Sequence, residues 1–234
     1  MIMKSDYREF LRMLRLEPGR PVLFEPEPAH GSVAQIIWRA GALLWDTPEH
    51  CVSTLISFYQ NIKSDTVTVS ADKDNIDAIL GCGASLPPEL KFTIISNDEE
   101  TLNKASKSEY VCAVASMLKL SGSSYEKPLI FMARSDRRTE VEGAIERGAA
   151  GVYVPCDAEF LWQRYGDKIA ILGGMSDSLI AGSPVRVHER VKSLHEMTGG
   201  KGYAFGSGLI RTEADYLALI SMLGMFNTLC EKYK

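Results

Sequence analysis

The stretch PLIFMARSDRRTEVEGAIERGAAGVYVP, residues 128–155, decides the fold. Leu129–Met132 is a short run with no polar face, followed by a polar turn and then an amphipathic helix from Arg138 to Arg147. Gly148 stops that helix, and Gly151–Val154 is a second apolar run. Two strands of this kind, apolar on both faces and joined through a helix, make a βαβ unit whose parallel strands are covered on both sides.

The same alternation continues outward in both directions. Strands are expected at Pro21–Phe24, Thr66–Val69, Phe92–Ile95, Ile169–Leu172 and Gly202–Phe205. An eighth candidate, Val111–Ala115, is ambiguous, because Met117 to Leu120 could continue it as a helix. Asp6 through Leu14 reads as a helix with Asp6 and Glu9 spaced as a capping box, ended by Gly19 and Pro21. Thr47-Pro48-Glu49 opens another that runs to Ile62 and buries Val52, Leu55, Ile56 and Tyr59. Ser183-Pro184 starts a helix that stops at Gly199-Gly200, and the last runs from Glu213 to Leu229. Seven or eight such units in 234 residues predict a single α/β domain over residues 1–234, a (β/α)8 TIM-type barrel; an open doubly wound sheet is the competing arrangement.

Composition narrows the function classes. The formal charge of −4, from 26 basic and 30 acidic residues, lacks the basic excess of a nucleic-acid or anionic-membrane binder. No apolar run approaches the roughly 20 residues of a membrane span, and the polar start MIMKSDYREF carries no signal-peptide core. The 5 cysteines are scattered and never paired as CxxC, which predicts reduced thiols in a cytoplasmic protein.

Candidate site residues follow the strands. Asp72 lies just past the Thr66–Val69 strand, where barrel active sites form, and equally suits a helix cap before Asn75–Leu80. Arg134, with Arg137 and Arg138, follows Leu129–Met132 and could rim an anion site or pair with Glu140 and Glu142. Gly206-Ser207-Gly208 after the last strand offers backbone NH groups to a phosphate or carboxylate, or simply a tight turn. His30 is the one histidine in an expected site loop. Cys156 reads as a small buried residue.

Four segments, in order, resemble the uroporphyrinogen decarboxylase family, which also contains corrinoid-dependent methyltransferases. They are FLRMLRLEPGRPVLF at 10–24, Thr47-Pro48-Glu49 with its helix and the strand to Ser70, the 128–155 unit, and ILGGMSDSLIAGSPVRVHERVKSLHEMTGGKGYAFGSGL at 171–209. Family members are longer between Ile94 and Lys127, so the resemblance implies a barrel shortened or incomplete in its middle units. It further implies a tetrapyrrole or other polycarboxylate at the strands' C-terminal ends, cofactor-free decarboxylation, and a homodimer. Asp72 takes the place of the family's aspartate, with Ser207, Gly206, Gly208, Arg134 and His30 as ligand contacts.

Departures from the pattern define the alternatives. Where the decarboxylases carry an arginine pair after the first strand, this chain has Phe24-Glu25-Pro26-Glu27, which repels carboxylates. Ser207 stands at the family's late histidine. Met132-Ala133-Arg134 replaces the his-x-cys of the zinc-dependent methyltransferases, so no metal is expected. These differences favour a non-catalytic binding protein of a corrinoid or methyl-transfer system. A phosphate-binding barrel isomerase is the third reading, resting on the Gly206–Gly208 loop.

Overall fold

The computed structural model describes residues 5–26, 48–117, 125–134, 138–155, 158–175 and 184–206, together with 224 and 228. Within them the chain forms α1 (Tyr7–Leu14), β1 (Val22–Leu23), α2 (Pro48–Ile62), β2 (Val67–Ser70), α3 (Ile76–Gly81) and β3 (Phe92–Ile95). There follow α4 (Glu99–Ser106), β4 (Val111–Ser116), β5 (Leu129–Met132), α5 (Arg138–Glu146), β6 (Gly151–Val154), α6 (Ala158–Tyr165), β7 (Ala170–Gly174), α7 (Pro184–Thr198) and β8 (Tyr203–Gly206).

All eight strands are parallel, in the order β1-β8-β7-β6-β5-β4-β3-β2. This curled α/β sheet has a TIM-like fold. Its two end strands, β1 and β2, meet through individual bonds. Asp65 N donates to Leu23 O at 3.3 Å, Leu23 N to the Asp65 carboxylate at 3.3 Å, and Thr68 Oγ1 to Glu25 O at 2.7 Å.

Strand periodicity separates two buried sets. Leu23, Val69, Ile94, Val152, Ile171 and Phe205 face the helices. Phe24, Ile95, Ala115, Met132, Tyr153 and Leu172 face the opposite way, into the curl of the sheet, where they meet Phe10, Met13 and Leu14 of α1. Phe10 stacks on Phe24 with centroids 5.5 Å apart, and Tyr153 lies 6.2 Å beyond. Helix α1 thus fills part of one end of the curled sheet with apolar and aromatic bulk.

Several local expectations need correction. The strand over Val111–Ser116 settles the ambiguous segment. Opposite β3 it bulges: Phe92 pairs with Val111 but Thr93 with Ala113, leaving Cys112 as the extra residue. The Asp6–Glu9 capping box does not form. Asp6 caps Arg8 N, but its own NH donates to Asp65 at 2.9 Å, and Glu9 instead accepts from Arg12 at 2.9 Å. Helix α1 ends at Leu14 as expected, and Leu16 beyond it takes a left-handed φ of 60°. Arg12 then ties the loop by donating to Glu17 O and to Arg20 O. Helices α4 and α6, not anticipated from the sequence, occupy the connections after β3 and β6. The expected helix from Glu213 to Leu229 lies outside the described residues, apart from two positions.

Candidate functional site

The C-terminal ends of the strands form the face where barrel proteins carry ligands. Beneath the end of β1, Glu25 has its side chain fully buried. Its carbonyl accepts from Thr68 Oγ1 at 2.7 Å and from Tyr59 Oη at 3.1 Å, and those two hydroxyls also bond each other. Strand β2 supplies Thr68 because its alternate residues Thr66 and Thr68 turn away from the helix layer that buries Val67 and Val69. Helix α2 supplies Tyr59, whose body packs in the core. The Glu25 backbone carbonyl and two hydroxyls therefore stand together at the β1–β2 junction.

Asp72 is exposed past the end of β2. Its Oδ1 accepts from Asp74 N at 2.9 Å and Asn75 N at 3.0 Å, while Asn75 Oδ1 accepts from Asp72 N at 2.9 Å. This reciprocal turn launches α3. After β3, Asn97 Oδ1 accepts from Met117 N at 3.1 Å, linking the ends of β3 and β4. Asp98 caps α4, accepting from Thr101 N at 2.8 Å and Thr101 Oγ1 at 2.6 Å; these bonds hold its carboxyl below the usual range.

Arg134 is exposed beyond β5, and its backbone NH donates to Glu140 at 3.0 Å across the start of α5. Gly206 ends β8 and is buried; a Cβ there would run into the Phe24 carbonyl of β1. Close strand approach therefore requires glycine at this position. Gly173 and Gly174 have φ of 93° and 83°, and Tyr203 Oη donates to Gly173 O at 2.6 Å. Burial pushes the Tyr203 phenol well up.

Of the sequence candidates, Asp72, Arg134 and Gly206 all lie at this one end of the sheet, on three different strands' termini. His30, Arg137, Ser207, Gly208, Glu27 and Cys156 lie outside the described residues. The Tyr59–Thr68 pair was not anticipated, although the threonines of Thr66-Val67-Thr68-Val69 mark a strand with one polar face. Among the described residues no group of three or more His, Cys, Asp or Glu side chains is placed to hold a metal ion. Nor is any described helix long and apolar enough to cross a membrane.

Fold and site together define an α/β protein of TIM-like class. No family model matches the sequence, and no curated protein matches it either. The chain is similar in structure to a methyltransferase from Methanosarcina mazei, with a TM-score of 0.68 at 10% identity over 97% of this chain and 99% of that one. It also aligns with phosphoribosyl anthranilate isomerase bound to reduced 1-(o-carboxyphenylamino)-1-deoxyribulose 5-phosphate (TM-score 0.45, 14% identity, 77% and 93% covered). A third alignment is with the Amycolatopsis orientalis BexX/CysO complex (TM-score 0.48, 13% identity, 93% and 96% covered). At these identities the likeness is one of fold.

Proposed function

We propose that this chain is a binding protein of a methyl-transfer system, taking a corrinoid-type macrocycle at the C-terminal face of its barrel without carrying out chemistry on it. The observation that carries this reading is the run after β1, where Glu25-Pro26-Glu27 is acidic and holds no arginine. In the resembling decarboxylases an arginine pair follows that strand to hold substrate carboxylates. Uroporphyrinogen carries eight carboxylates, which a mouth bearing the exposed carboxylates Asp72 and Asp98 would repel. A corrinoid carries carboxamides at its rim, and carboxyl and hydroxyl groups accept hydrogen bonds from amides. The full-length structural likeness to a methyltransferase supports the same direction. In this reading Gly206, Ser207, Gly208, Arg134 and His30 contact the ligand, and Asp72 mainly braces its loop.

Absorbance titration with hydroxocobalamin and, separately, uroporphyrin tests it. Hydroxocobalamin is expected to bind with Kd on the order of 1 μM and uroporphyrin at least about tenfold more weakly. The reverse order would sink the proposal.

Decarboxylation is the second reading, favoured by the exposed position of Asp72 at the end of β2. It requires that the protein convert uroporphyrinogen and that Asp72→Asn abolish the conversion.

A further inference from the structure

At the opposite end of the barrel lies a cavity of about 310 Å³, between α1 and the N-terminal ends of β3, β4 and β5. Its origin is topological. Helix α1 packs mainly against β1 and β8, and among the described residues no helix covers the β4–β5 side of this end. The link from β4 to β5, residues 117–128, is not helical at Met117 or at 125–128, its described parts. The bulge at Cys112 and the small side chain of Ala150 lie along the wall of this half-open cleft.

The walls are of two kinds. Leu11, Leu14, Val111 and Ala150 are apolar, and Cys112 lies among them as a buried thiol. Burial pushes that thiol up, so it remains the neutral S–H near neutral pH. Among the described residues the rim holds Arg15, Lys91 and Lys127 with one carboxylate, Glu126. Arg15 is engaged by Glu17 at 2.9 Å. Lys91 is fixed without a carboxylate: its ammonium lies 4.8 Å over the Tyr7 ring and donates to the Glu109 carbonyl at 2.6 Å. Lys127 has no acidic partner among the described residues. Two lysine charges thus stand over an apolar floor.

From this geometry we infer that the N-terminal end of the barrel is a second ligand site, for a small carboxylate with an apolar, ring-sized body. Its volume falls at the lower end of small-molecule pockets, and its makeup of apolar walls with few oriented polar groups is theirs as well. The carboxylate pairs with Lys91 and Lys127, and the body lies on Leu11, Leu14 and Ala150. Cys112 bounds the site without reacting. This site lies at the end of the sheet opposite the C-terminal face, so its test does not depend on the proposed macrocycle binding.

Protein-observed NMR titration of the full chain with benzoate, and with uncharged benzamide as its isostere, tests the assignment. Benzoate is expected to saturate with Kd of about 1 mM or lower, an affinity about nine heavy atoms can supply. Shifts should centre on Tyr7, Lys91 and Ala150, and benzamide should bind about tenfold more weakly. Lys127→Glu, on a partly exposed loop, should weaken benzoate about tenfold with melting unchanged. Ala150→Leu, which fills the space, should weaken both ligands. Absence of saturable binding, equal affinity for the two, or indifference to Lys127→Glu would each overturn the site.

Discussion

Tyr203 shows how one residue can couple the end of a strand to pH. Its hydroxyl donates to the Gly173 carbonyl at 2.6 Å, and its ring meets Phe205 edge-on with centroids 4.9 Å apart. Burial raises the phenol's pKa above its value in the unfolded chain. For such a group the stabilisation is fully present below the unfolded pKa of about 10 and is lost as pH rises from there toward the folded value. Denaturant melts should therefore show wild-type stability falling steadily above about pH 10. Tyr203→Phe removes the bond, costs about 1 kcal/mol at neutral pH, and should make the alkaline loss shallower. An equally steep loss in the variant would assign the slope to other groups. Nothing in the sequence around Lys201-Gly202-Tyr203 marks this bond, because the partner carbonyl lies 30 residues earlier on a glycine with positive φ.

At the scale of elements, Asp65 binds three of them together. It accepts from Asp6 N at the start of α1 at 2.9 Å, from Leu23 N of β1 at 3.3 Å, and from both terminal nitrogens of Arg20. Burial pushes its carboxyl up, while Arg20 and the two backbone NH groups pull it back. The Asp65 side chain is wholly buried and that of Arg20 is partly buried, with 16% exposed. Asp65→Ala would strand the guanidinium and two amides, and removing one member of such a pair costs about 3–5 kcal/mol. Thermal or urea unfolding checks this; a cost below about 1 kcal/mol would mean that water replaces the carboxylate. The same carboxylate explains the failed capping box. The Asp6–Glu9 spacing is local and legible, but the acceptor that claims Asp6 N comes from 59 residues away. Strand positions were readable because their apolar runs need no partner to be recognised. Helices α4 and α6 were not, since Glu-Glu-Thr-Leu-Asn-Lys-Ala-Ser at 99–106 has a short apolar face amid polar residues. The position of Asp72 past β2 and its turn before α3 were legible in the sequence, while Tyr59 and Thr68 meet only through tertiary packing.

For the whole molecule, the question is how the strand order closes. Seven neighbouring pairs share ladder hydrogen bonds, whereas β1 and β2 meet through Asp65, Ser64, Thr68 and Tyr59. A side-chain seam has fewer and less cooperative bonds than a ladder, so it should open before the rest of the barrel. Native-state hydrogen exchange is expected to show Leu23 and Asp65 amides exchanging through local opening, while β6 and β7 amides such as Val152 and Ile171 exchange only through global unfolding. Thr68→Val with Tyr59→Phe removes the hydroxyl pair that holds the Glu25 carbonyl, and leaves that buried acceptor without either donor. Each lost bond costs about 1 kcal/mol, enough to speed seam exchange by roughly tenfold or more. The change should appear at β1 and β2 and spare β6–β7. Uniform acceleration across all strands would instead mean that the seam and the ladders open as one cooperative unit. In that case the barrel is sealed by the packing of Phe10, Phe24 and Tyr153 inside it rather than by bonds along its joint.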